Sequence, residues 1–313
     1  MGSKNKRIIK IGIIGCGYWG TNLIRNFHKI EDCQILGIAD IDEKKLKKVK
    51  KDYPHLEITN NFKNLLNNPE IDGIVIATPV STHYSLTKQS LICKKHVLVE
   101  KPLATKVKEG KELVSLAERK NKILMVDSTF IYSGAVQELK KIVDRGEIGE
   151  IYYIDSIRAN LGIFQKDINV LWDLAPHDFS IITYLLKEKP LAIRAFGIDP
   201  ISYQREKMES IVNLLLYLER GILAHIHLSW LSPIKIRKMT LIGSKKMVIY
   251  DHLDVPNQIK IYDKGVRIIK RGKEKVIKYK LGSEKTPRID TREPLEVMCK
   301  HFIECIQKSK QPI

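Results

Sequence analysis

A chain of 313 residues, at roughly 150 residues per domain, has room for two domains and is too long for a mini-protein or peptide ligand. With 43% hydrophobic and 29% charged residues it can bury a sizeable core. Its 54 Lys and Arg against 36 Asp and Glu leave a net charge of +18, so the partners to weigh are anionic: nucleic acid, a membrane surface or a phosphorylated small molecule. Five cysteines without a C-x-x-C pair form neither a zinc framework nor a disulfide scaffold, and point to a reducing, cytoplasmic setting.

The first apolar run, Ile8 to Ile14, is short, has no A-x-A site and leads into glycines, so it reads as a strand and not a signal peptide. Lys6 stands where a myristoylation signal needs Ser or Thr. No apolar run approaches the ~20 residues of a membrane span. Further strands are expected at Ile35 to Ala39, Leu56 to Thr59, Gly73 to Ala77, His96 to Val99 and Ile123 to Val126. Helical periodicity marks Thr21 to Lys29, Lys44 to Lys51, Tyr84 to Cys93 and Val107 to Lys120 between them. This alternation describes a doubly wound α/β domain with a parallel sheet over residues 1–127.

From residue 128 the pattern changes. A helix near Ala135 to Arg145, a strand near Ile151 to Ala159 and a helix near Asp173 to Leu186 precede a series of strands: Ala192 to Ile198, Ser210 to Leu218, Ile222 to Ser229, Arg237 to Ile242, Lys246 to Tyr250, Gln258 to Tyr262, Val266 to Lys270 and Lys275 to Leu281. These read as an antiparallel meander, with hairpin turns at Glu219-Arg220-Gly221 and Asp263-Lys264-Gly265. A helix over Thr291 to Lys308 ends an α+β domain, 128–313, built on a large, mainly antiparallel open sheet, and is expected to pack back on the first domain.

Gly15-Cys16-Gly17-Tyr18-Trp19-Gly20 is a G-x-G-x-x-G directly after a strand and opening a helix. The first glycine permits the tight turn, the second lets a pyrophosphate approach the backbone, and the third lets helix and strand pack closely. Asp40 ends the second strand about twenty residues beyond Gly20, where a carboxylate accepts hydrogen bonds from the adenosine ribose. That carboxylate repels a 2′-phosphate and no Arg follows it, so the expected cofactor is NAD, not NADP. Tyr18 and Trp19 read equally as cofactor edge and as packing residues.

Two loops at strand carboxyl ends follow: Ala77-Thr78-Pro79-Val80-Ser81-Thr82-His83 and Val99-Glu100-Lys101-Pro102-Leu103. Later comes Trp172-Asp173-Leu174-Ala175-Pro176-His177-Asp178. Together with the glycine fingerprint, the chain resembles the Gfo/Idh/MocA family of oxidoreductases over essentially its whole length. The resemblance implies a Rossmann domain whose cofactor contacts include Ala77, Thr78, Pro79, His83, Glu100 and Lys101. It implies that Lys101 lies beside the nicotinamide and touches the substrate hydroxyl, that His177 is the acid/base, and that Asp173 accompanies it. It also implies a cis Lys101-Pro102 peptide.

The chemistry agrees. Oxidising a secondary alcohol needs a base that titrates near neutrality at the hydroxyl, which suits histidine, and an ammonium to steady developing alkoxide charge, which suits lysine. Asp173 reads also as a helix N-cap, and His83 equally as a nicotinamide contact and a helix cap.

The segment Leu228 to Lys238 with Thr240 to Ser244 resembles the nucleotide-sugar branch of that family, UDP-N-acetylhexosamine 3-dehydrogenases. It implies an anionic UDP-sugar substrate oxidised at C3 and a downstream aminotransferase as pathway partner; a diphosphate suits a basic cleft, with Arg158, Asn160, Lys166, Trp172 and Arg237 as the expected contacts. A UDP-linked uronic acid, a free sugar or inositol, and a non-catalytic NAD-binding regulator are the alternatives. His225 and His227 alternate on a strand face without a third ligand, so no metal site is expected. Lys44 to Lys51 and Arg267 to Lys280 lack the interleaved aromatics of a nucleic-acid surface and read as solvated faces. A sheet with one uncovered face implies a homodimer or homotetramer.

Overall fold

The computed structural model describes residues 7–162, 164–165, 168–202, 208–271 and 274–313. The chain divides into two compact units, Met1–Thr129 with Glu293–Ile313, and Phe130–Arg292.

The first unit holds six strands: β1 (Ile9–Ile14), β2 (Cys33–Ala39), β3 (Glu57–Thr59), β4 (Gly73–Ile76), β5 (His96–Val99) and β6 (Leu124–Val126). All pair in parallel, in the order β3-β2-β1-β4-β5-β6. This is the nucleotide-binding order, with its switch point between β1 and β4. β4 is buried at every residue, as strands covered on both faces must be. The crossovers are α1 (Tyr18–His28), α2 (Glu43–Asp52), a short α3 (Lys63–Asn67) that hydropathy alone does not announce, α4 (Val80–Ile92) and α5 (Val107–Lys120).

In the second unit α6 (Gly134–Asp144) and α7 (Val170–Leu186) accompany eight strands: β7 (Ile151–Ala159), β8 (Pro190–Ile198), β9 (Ile211–Leu218), β10 (Leu223–Ser229), β11 (Ile236–Gly243), β12 (Met247–Asp251), β13 (Ile259–Arg271) and β14 (Glu274–Lys285). Along β9 and β10 buried residues alternate with half-exposed ones, the mark of a sheet packed on one face. Its core joins Leu139, Ile154, Ile181, Leu214, Ile226 and Leu241.

Two expectations need correction here. The sheet order is β14-β13-β12-β11-β7-β10-β9-β8, so β7 inserts between β11 and β10, pairing with β10 in parallel, and interrupts the meander. Asp263-Lys264-Gly265 is not a hairpin turn: β13 runs through it to Arg271, absorbing the glycine with a register shift between Tyr262 and Lys264. An irregularity within a strand uses the same residue types as a turn, and only pairing tells them apart.

The last helix, α8 (Pro294–Lys308), belongs to the first unit. Phe302 meets Phe27 of α1 with ring centroids 6.4 Å apart. Glu293, at the head of α8, takes a bidentate pair from Arg25 at 2.6 and 2.8 Å. No described helix is long and apolar enough to cross a membrane.

Candidate active site

In the first unit a cleft of about 600 Å³ opens at the carboxyl ends of the strands, lined by Gly15, Gly17, Asp40, Ala77, Thr78 and Pro79 among others. Gly15 has φ +96°, and a Cβ there would stand 2.4 Å from the Ala77 carbonyl oxygen, so the turn from β1 to α1 requires glycine. A Cβ at Gly20 would meet the Gly15 oxygen at 2.1 Å. At Gly17, by contrast, a Cβ would find nothing within 4 Å: the open space faces the cleft, where a pyrophosphate needs bare backbone. α1 begins there with no side-chain cap and no acidic residue in its first turn, leaving N–H groups and partial positive charge for an anion.

Asp40 follows directly on β2 and lines the same cleft. Its Oδ2 accepts from Cys16 N at 2.8 Å and its Oδ1 from Asp42 N at 2.9 Å. Burial pushes its carboxyl up, but those N–H groups outweigh it and hold the group below its usual value. The Cys16 thiol is pushed up to about 12 by burial and by Asp40, so it is a neutral filler and not a nucleophile. Tyr18 and Trp19 are exposed, edge to face at 5.2 Å. Lys45, Ser81 and Gln89 also line the cleft. Sequence reasoning passed over them because helical lysines and polar residues read as solvated; the available signal was that α2 and α4 start at strand ends.

His83 is buried and links two loops, Nδ1 to Pro102 O and Nε2 to Thr78 O, both at 2.8 Å. It therefore ties the Ala-Thr-Pro loop to the Glu-Lys-Pro loop. Lys101-Pro102 is cis. Lys101 is half-buried, and Glu100 is buried beside Asp127.

One family model, described as an oxidoreductase family with an NAD-binding Rossmann fold, matches residues 9–128, and another, the GFO/IDH/MocA C-terminal domain, matches residues 136–249. The chain belongs to the Gfo/Idh/MocA family. NAD is the cofactor of that Rossmann domain, and the bare Gly17 backbone, the α1 terminus and Asp40 fit it. The uncharacterized oxidoreductase YrbE of Bacillus subtilis is 27% identical over 194 residues, covering 60% of this chain and 57% of that protein. The chain spans about half the length of other curated relatives it matches. Among solved structures, a putative oxidoreductase of Magnetospirillum magnetotacticum superposes with TM-score 0.81 at 22% identity, covering 97% of this chain and 93% of that one. The UDP-N-acetylglucosamine 3-dehydrogenase GnnA of Acidithiobacillus ferrooxidans does so with TM-score 0.80 at 21% identity, covering 97% and 90%. Both likenesses are of fold.

The second unit of this Gfo/Idh/MocA chain places His177 on α7 with its ring centroid 4.8 Å from that of Phe130. Arg158 of β7 lies over the same ring at 4.5 Å and Arg237 of β11 at 5.9 Å; the two arginines are direct cross-strand partners. Arg158 is buried and ion-paired with Asp178 at 2.9 Å. Among the described residues, the buried Arg158 Nη1 and Arg237 Nε have no hydrogen-bond partner. Burial and the neighbouring Arg158 lower Arg237 from its ordinary value. Burial, with Arg237 and Arg158 next, takes the His252 imidazole down to about 4; His252 also packs on Phe130, at 5.1 Å. The patch is cationic, and two of its buried N–H groups have no acceptor among the described residues.

Asp173 is not the helix N-cap. Asn169 is, accepting from Trp172 N at 3.2 Å, and Asp173 in the first turn accepts from Trp230 Nε1 at 3.1 Å. Asn160 is half-buried and Trp172 exposed; Lys166 lies outside the described residues. His225 and His227 turn their ring nitrogens to Asp155 and Asn213. Phe130, Asp178 and His252 are the residues that sequence reasoning missed; only Asp178, adjacent to His177, carried a local signal.

Proposed function

We propose that this chain is an NAD-dependent dehydrogenase that oxidises a secondary hydroxyl of a nucleotide sugar, C3 of UDP-N-acetylglucosamine, to the 3-ketone. The observation that carries the substrate class is the pair of arginines around Phe130. Buried N–H groups without acceptors cost free energy unless a ligand supplies them, and an anionic group in reach of His177 does so. A neutral polyol has no charge to offer there. The likeness in fold to a UDP-N-acetylglucosamine 3-dehydrogenase supports the same reading.

In this reading His177 takes the hydroxyl proton and Lys101 steadies the oxygen as charge develops on it. Asp173, held by Trp230, orients the imidazole or the sugar. Bound NAD supplies the acceptor for the hydride that leaves C3. A ketone beside an acetamido carbon is a substrate for an aminotransferase, which places such an enzyme next in the reaction sequence. Five free cysteines agree with a cytoplasmic setting. The exposed apolar residues of β8, Leu191, Ile193, Phe196 and Ile198, support a homodimer or homotetramer, and light scattering reads which.

The same arginines favour a second reading, in which the anion they hold is a ring carboxylate and the substrate a UDP-linked uronic acid. A panel of UDP-N-acetylglucosamine, its uronate, free N-acetylglucosamine and inositol, read by NADH absorbance with an aminotransferase to trap the ketone, separates the cases. Turnover of a UDP-sugar is expected, with kcat lowered about 10²- to 10⁴-fold in Lys101→Ala and in His177→Asn. Turnover of a free polyol alone, or variants as active as the parent, would refute the proposal.

A further inference from the structure

β12 pairs with β13 only through Ile259 to Tyr262. From Lys264 to Arg271 the neighbour of β13 is β14, the edge of the sheet, with no third strand among the described residues. The two strands therefore run on past the sheet as a hairpin arm, and after Ile261 no described residue of either is buried. A two-stranded ribbon is marginal in water by itself, and this one carries two further costs. Its register sets Val266 opposite Tyr279 and Ile268 opposite Ile277, with Leu281 on the same face. These five apolar side chains are between 51% and 86% exposed, a contiguous patch of the kind that marks an interaction surface. The same register sets Lys270 opposite Lys275 and Arg267 opposite Lys278, and like charges in cross-strand pairs weaken a ladder.

The charge of the arm says what covers it. Between Lys264 and Leu281 there are eight lysines and arginines and one glutamate, +7 of the chain's +18. A second copy of the chain would cover the apolar face but set one such arm against another, charge on like charge. A nucleic acid would answer the charge and leave the apolar face in water, with Tyr279 the one ring in that stretch for a base to stack on. A surface of anionic lipid meets both needs. Apolar side chains enter the boundary between headgroups and acyl chains, and cations lie among the phosphates. The apolar face is bracketed for this, by Lys264 at one end and by Lys270 and Lys275 at the other.

We propose that the β13–β14 arm is a membrane-docking element that holds the protein to an anionic phospholipid surface. The run Arg267 to Lys280, which by sequence reads as a solvated face, is its charged part. Docking is independent of the substrate assigned above, and its test needs no turnover. Vesicles of equimolar phosphatidylglycerol and phosphatidylcholine should sediment the full chain at about 0.1 M salt, and phosphatidylcholine alone should not. Raising the salt to about 1 M, where the screening length falls to about 3 Å, should weaken binding steeply. Ile268→Ser/Ile277→Ser and Lys270→Ser/Lys275→Ser should each lower the affinity for the mixed vesicles by roughly tenfold or more. Lys47→Ser/Lys48→Ser, which removes the same charge from exposed positions of α2, should leave it unchanged, and NAD affinity should be that of the parent in all three. In the parent, vesicles should shield Lys270 and Lys275 from acetic anhydride, read by mass spectrometry, and leave Lys47 and Lys48 labelled as before, which decides the matter even where an arm variant does not fold. Failure to bind the mixed vesicles, an equal loss in the α2 variant, or labelling of the arm that vesicles do not change overturns the proposal. So does vesicle binding that survives Ile268→Ser/Ile277→Ser while light scattering shows a smaller assembly, which would give the face to a second copy. A DNA duplex that binds through Lys270 and Lys275 where vesicles do not would give it to nucleic acid, with the same result.

Discussion

In the first domain the pyrophosphate side of the cofactor cleft is made of backbone: a glycine turn, the head of a helix, and loops at strand ends. In the second it is made of side chains, two arginines and two histidines around Phe130, held by a buried aspartate. A backbone site fails when a side chain is added, because the ligand needs the space. A site built on buried charges fails when a side chain is taken away, because an uncompensated ion stays behind.

The sharpest test of that contrast is Asp178→Asn. It leaves Arg158 buried with half its pairing gone, and should cost about 3 to 5 kcal/mol of stability, read by urea denaturation, with NAD affinity unaltered in the folded protein. Equal stability would mean that Arg158 is not held by charge. Gly17→Ala is the converse. Its Cβ meets nothing in the protein, so Tm should stay within a degree or two while the dissociation constant for NAD, by calorimetry, rises on the order of tenfold. Gly15→Ala, colliding with the Ala77 carbonyl, should lose both. Should Gly17→Ala bind as the parent does, the bare backbone is not where the pyrophosphate lies.

A further effect is in pH. The folded-state imidazole of His252 titrates at about 4 against ~6.5 unfolded, so the unfolded chain binds the proton first. Its contribution is fully present above ~6.5 and is lost as pH falls toward 4. His252→Asn should flatten that part of the stability profile. His96 in the first domain is lowered to about 4 as well, by burial first and then Lys122, and will keep the remaining slope; a profile unchanged by His252→Asn would contradict the cationic surroundings assigned to it.

Much of the first domain was legible because its features are local in the chain. Gly15 to Gly20 must turn within six residues, and Asp40 follows from the length of one strand–helix–strand passage. The second domain was less so. Arg158 was read as a substrate contact; its pairing with Asp178 and its neighbour Arg237 depend on where α7 docks and on the register of β11 against β7. Glycine in Asp263-Lys264-Gly265 looked like a turn, though the partner strand β14 carries β13 straight through it.

What the residues determine by themselves is periodicity, turn chemistry and the order of elements, since these depend on dihedral preferences and on which side chains avoid water. What tertiary structure alone decided is which charges are buried against one another. β7 entering the sheet between β11 and β10 sets Arg158 opposite Arg237, and the pairing of β5 with β6 sets Glu100 beside Asp127. Desolvation then gives those groups protonation and pairing that no composition or net charge of +18 contains, because the energy of a charge depends on what surrounds it and the chain order does not say.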